Sequence, residues 1–68
     1  MSNWEKVFED KQEYRTEIVL AVLKDSGLQP VKVNKKDASY QLGMFEVHVP
    51  ADDVMRAIKI IKDDIRFS

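Results

Sequence analysis

The chain has 68 residues, 44% of them hydrophobic and 34% charged, with a formal net charge of −1, one histidine and no cysteine. That length makes a single domain of residues 1–68 at the small end of what folds alone; the mixed charge argues against general nucleic-acid binding, and the missing cysteines exclude disulfides and thiolate metal sites. The longest apolar run, residues 18–23, is too short for a membrane span or a signal-peptide core, so a soluble cytoplasmic protein with no metal and no cofactor is the expectation.

Residues 4–9, rich in aromatic and β-branched side chains, predict a first strand. Trp4, Lys6 and Phe8 share one of its faces and Glu5, Val7 and Glu9 the other, and neither face is purely apolar. Asp10 followed by Glu13 resembles a capping box, and a start one or two residues later fits equally; the helix runs to about residue 26. Ile18, Val19, Val22 and Leu23 form its apolar face, with Leu20 off that stripe. Gly27 fits a left-handed residue that ends the helix, with Leu28 as the apolar residue beyond it.

Residues 30–34 predict a second strand with Val31 and Val33 on one face, and Pro30 suits the edge of a sheet. Residues 35–42 then read as a polar loop, long for a hairpin. From Gly43 to Pro50 the alternation is clean: Phe45, Val47 and Val49 point one way, Met44, Glu46 and His48 the other. Asp52 and Asp53 place negative charge at the positive end of a second helix, about residues 51–65. Its buried stripe is expected at Val54, Ile58, Ile61 and Ile65, with Ala57 at the edge and Met55 and Ile60 off it. Residues 66–68 read as a frayed end or the stub of a fourth strand.

The order β-α-β-β-α predicts an α+β domain, a ferredoxin-like split β-α-β. Its three-stranded sheet has the order 1-3-2, both helices on one face, and a fourth strand missing or vestigial. On the open face a ladder of Lys6, Glu46 and Lys32 is expected, flanked by Trp4, Phe8, Met44 and His48. Aromatic and thioether surface of that kind predicts association of the chain with itself, first as a dimer. Leu20, Met55 and Ile60 make a rival surface on the helices.

The chain holds no Gly-rich phosphate loop, no HExxH and no GxSxG. His48 reads as a cross-strand partner of Trp4 in preference to a catalytic group, so no catalytic residue is assigned and no enzymatic activity is expected. Asp52 and Asp53 are explained by the helix dipole without a metal. One segment exceeds structural need: Asn34, Lys35, Lys36, Asp37, Ser39 and Tyr40 combine cations, hydroxyls, an amide and a ring that can stack. It reads either as an ordinary hairpin loop or as a binding loop for a small anionic ligand or a protein partner.

The first strand Trp4-Glu5-Lys6-Val7-Phe8, the helix segment from Glu17-Ile18-Val19 to Ser26-Gly27-Leu28, the stretch from Asn34 to Tyr40 and the strand from Gly43 to Val49-Pro50 together resemble a known family. It is that of short bacterial domains grouped as prokaryotic signal-transducing proteins, whose biochemical function is not established. The resemblance implies a ferredoxin-like fold comparable with the PII nitrogen-regulatory proteins. It therefore implies a non-enzymatic binding or regulatory module, with a small-ligand or nucleotide sensor as the alternative. In PII-like proteins a long loop between the second and third strands reaches targets, and residues 34–42 match its position at much shorter length.

Overall fold

The computed structural model describes residues 3–37 and 42–65. In chain order these form β1 (Trp4–Asp10), α1 (Glu13–Asp25), β2 (Val31–Asp37), β3 (Leu42–Pro50), a single 3-10 turn (Ala51–Asp53) and α2 (Val54–Asp64). The fold is α+β in the expected order, with a three-stranded sheet β1-β3-β2. Both hydrogen-bonded pairs are antiparallel, so the two edge strands run parallel to each other. Among the described residues no helix is long and apolar enough to cross a membrane.

The helices cover the side of the sheet that carries Val47 and Val49, both fully buried with Val19, Leu20, Leu23, Leu28 and Ala57. The phase of α1 differs from expectation. Its buried residues are Thr16, Val19, Leu20 and Leu23, spaced i, i+3, i+4 and i+7, while Ile18 is exposed. A continuous apolar run on a helix points all ways at once, so hydrophobicity alone leaves the buried side open. In α2 the buried centre is Ala57, flanked by Val54, Ile60, Ile61 and Ile65, and Ile58 is exposed instead. A small residue at the centre lets the helix axis approach the layer beneath it.

The capping box does not form. Asp10 still belongs to β1, and its carboxylate accepts the backbone N–H of Gln12 at 2.8 Å, a local turn that sets the start of α1 at Glu13. The other end of α1 closes as expected. Leu28 N–H donates to Leu23 O and Gly27 N–H to Lys24 O, both at 3.0 Å, with Gly27 at φ +88° and Leu28 tucked into the core. From α2, Arg56 reaches across to donate to Ser26 O at 2.8 Å, tying the two helix ends together.

Three sequence expectations about the sheet are corrected by its register. In β1 the pairing runs Lys6↔His48 and then Phe8↔Val47, so Val7 is an inserted residue, a β-bulge. The bulge resets the alternation: Trp4 and Lys6 stay on the open face, but Phe8 turns to the helix side and packs with Val7 against the core. In β2, Val31 faces His48 and Val33 faces Glu46, which puts both valines on the open face and Lys32, opposite Val47, on the helix side. Strand β2 also runs on to Asp37, so residues 35–37, expected in a loop, are strand, and β3 begins at Leu42. Backbone pairing continues because Lys35, Lys36 and Asp37 keep register with Met44, Gly43 and Leu42. The expected stub at residues 66–68 lies outside the described residues.

Lys32 has a use on the helix side. Its ammonium lies 2.6 Å from both Glu13 and Glu17, one turn apart on α1, and 5.9 Å from the centre of the Phe45 ring. These two carboxylates hold the Lys32 ammonium above the usual lysine range. The clamp is fully present below that range and is lost as pH rises through the raised value.

Two substitutions test the register. Phe8→Glu should destabilise the fold by about 2–4 kcal/mol, since it turns a carboxylate toward the core, whereas Trp4→Glu should change stability by less than about 1 kcal/mol. Urea unfolding at low micromolar protein concentration reads both; equal effects would overturn the bulge. Thr16 carries a fully buried hydroxyl with no hydrogen-bond partner among the described residues. Thr16→Val, of nearly the same shape, is expected to raise stability by about 1 kcal/mol in the same measurement.

Candidate functional site

The uncovered face of the sheet is built from three rows of side chains. Strand β1 contributes Trp4, Lys6 and Glu9, β3 contributes Met44, Glu46, His48 and Pro50, and β2 contributes Val31, Val33 and Lys35. Glu46 stands at the centre, opposite Glu9 on one side and Val33 on the other. Although no second layer covers this face among the described residues, the Glu46 side chain is only 7% exposed. The neighbours that enclose it are long and charged. Lys6 lies 3.2 Å from Glu9 and 3.8 Å from Glu46, so one ammonium bridges two carboxylates that face each other across the strands. Lys35 lies 3.9 Å from the other oxygen of Glu46.

His48, two residues along β3, brings Nε2 to 2.8 Å from Glu46 Oε1. A carboxylate at that distance orients the imidazole and favours the proton on Nε2 when the ring is neutral. The hydrogen bond from His48, followed by Lys35 and Lys6, holds the Glu46 carboxyl below its usual range against the opposing effect of burial. The ladder expected across the face thus exists with one change: Lys35 stands where Lys32 was anticipated. Lys35 was expected in a loop, and the extension of β2 places it diagonally across from Glu46.

The residues singled out from the sequence are distributed as follows. Trp4, Met44 and His48 share the open face, with Trp4 48% exposed and Met44 and His48 half-buried. Phe8 does not join them. Asn34 is exposed, pairs with Phe45 and belongs to the helix side, so it and Lys35 part to opposite faces. Lys36 and Asp37 are paired strand residues, and Ser39 and Tyr40 lie outside the described residues. Sequence reasoning missed Val31, 42% exposed, and Val33 as parts of the open face. The signal was present in Glu13 and Glu17, an anionic pair one helical turn apart that calls for a cation on the helix side of a neighbouring strand.

Among the described residues there is no enclosed cavity and no group of three side chains suited to a metal ion. The arrangement can present a flat surface, apolar at its margins and charge-compensated at its centre. Comparison with protein-family models, curated proteins and solved structures finds no match for the chain.

Because its carboxyl is held low, Glu46 contributes stability that is present above the ordinary glutamate value of 4.5 and lost as pH falls through the lowered one. Between pH 5 and pH 3, roughly, wild type should therefore lose more stability than Glu46→Gln, with equal losses counting against the geometry. Chemical denaturation at each pH measures the difference.

Proposed function

We propose that the chain is a non-enzymatic binding or regulatory module whose working surface is the open face of the sheet. The observation that carries this reading is the pairing of a sealed, charge-compensated centre at Glu46 with exposed Trp4 and Val31 at its margins. A surface of that kind is built for contact, since the exposed apolar groups gain from leaving water and the central charges are already partnered. The resemblance to the prokaryotic signal-transducing domains points the same way, toward regulation by association.

The reading is tested by a thermal-shift screen against nucleotides, anionic metabolites and peptides, run on wild type and on Lys35→Ala. Lys35 is 65% exposed, so the substitution should leave the fold intact. A binder whose affinity falls severalfold in Val31→Glu, at the apolar margin, supports the open face as the working surface. Saturable stabilisation by a nucleotide that disappears in Lys35→Ala would favour the small-ligand sensor instead. Binders indifferent to both substitutions would remove the open face from the function.

A further inference from the structure

We propose that His48 is a phosphoryl acceptor, whose Nδ1 takes a phosphoryl group from a phosphoramidate donor while Glu46 holds the ring and Lys6 and Lys35 attract the phosphate oxygens. The inference goes beyond the reading of the open face as a binding surface and does not depend on what that face binds.

The hydrogen bond selects the nitrogen. Nε2 lies 2.8 Å from Glu46 Oε1, and an ionised carboxylate can only accept, so the neutral ring carries its proton on Nε2 and its lone pair on Nδ1. Among the described residues one buried side-chain nitrogen or oxygen lacks a partner, and it belongs to Thr16. His48 Nδ1 has no hydrogen-bond partner among those residues either, so it is in contact with solvent. Imidazole nitrogen is a nucleophile in that state. The chain has no cysteine, and both aliphatic hydroxyls among the described residues are occupied or closed off. Thr16 is buried, and Ser26 donates to Val22 O at 3.1 Å.

Charge favours the step. As Nδ1 bonds to phosphorus the ring becomes a cation, and the Glu46 carboxylate already stands against its other nitrogen, only 7% exposed and fixed before any reaction. The step balances without a further reactant. The Nδ1 lone pair forms the new P–N bond, the donor's P–N bond breaks, and the donor nitrogen leaves with that electron pair as a neutral amine. The proton on Nε2 stays in place, and nothing is oxidised or reduced.

Two ammonium groups are placed for the incoming anion. Lys6 is paired with His48 across the strands; it lies 3.2 Å from Glu9 and 3.8 Å from Glu46. Lys35 lies 3.9 Å from the same Glu46 oxygen that holds His48. All three separations exceed the length of a tight hydrogen bond between ions, about 2.8 Å. Lys32, on the other side of the sheet, sits 2.6 Å from each of two carboxylates and is committed to them. The looser pairs leave Lys6 and Lys35 able to turn to a third anion. Phosphoryl transfer depends on such placement and charge more than on covalent chemistry from the protein.

The experiment treats the purified chain with potassium phosphoramidate at about pH 8, where imidazole is neutral, and reads the added phosphoryl group by intact mass and its position by nuclear magnetic resonance. The chain has one histidine, so the assignment is direct. Folded wild type should be modified at Nδ1 alone. It should react about tenfold faster than the same chain in concentrated urea, where both nitrogens are modified, since a charge-assisted hydrogen bond contributes on that order. Modification of folded wild type at Nε2, or a rate no greater than in urea, overturns the proposal. Glu46→Gln keeps an acceptor for Nε2 without the charge, so the rate advantage should go while the nitrogen chosen stays; Glu46→Ala should lose both. If Glu46→Ala fails to fold, Glu46→Gln decides alone, and an unchanged rate in it overturns the assignment of Glu46. Lys6→Met and Lys35→Ala should each slow the step severalfold without moving it from Nδ1, and unchanged rates in both remove the lysines from the site.

Discussion

Two neighbouring residues of β3, Val47 and Glu46, are both shut off from water, one on each side of a single strand. Val47 is sealed by the helices and by Phe8 across the strand, through apolar contact that has no preferred direction. Glu46 is sealed by charges that must sit at particular distances from its two oxygens. The central strand is thus fixed from both sides by different physics, and a one-residue slip would exchange the two environments and satisfy neither. The edge strands, the clamp at Lys32 and the composition of the open face all follow from that register.

The bulge at Val7 reconciles two demands that a regular strand could not meet. Lys6 is needed on the open face, where it joins Glu9 to Glu46, while the core takes Val7 and Phe8 together. Regular alternation would put Lys6 and Phe8 on the same side. An extra residue between the pairs also interrupts the outer edge of β1, which blunts it as a template for stray strands. At the other edge, the cations of β2 have the same protective effect.

How far the fold could be read from the residues depended on whether a local rule had one answer. The strand from Met44 to Val49 alternates without interruption, so its faces and its central place were legible. The run from Ile18 to Leu23 is apolar at every position, and its phase was decided by contacts with the sheet that periodicity does not carry. Ala57 was discounted beside the bulkier Ile58, although the place where a helix comes closest favours the smaller side chain. Val7 gave no sign of being an extra residue, because a bulge shows only when the partner strand is known. With Phe8 displaced and Lys35 still counted as loop, Trp4, Met44, Glu46 and His48 were legible as members of the site, but the pairing of Lys35 with Glu46 was not.

At the end of α1, a methyl group added to Gly27 would meet nothing within 4 Å, so the position is open in space. Its φ of +88° is nevertheless one that left-handed building blocks, the L-amino acids, rarely hold. What the helix terminus demands is therefore handedness and not smallness. A D-alanine, the mirror-image residue, satisfies the angle that L-alanine strains against, and it has fewer unfolded conformations to lose than glycine has.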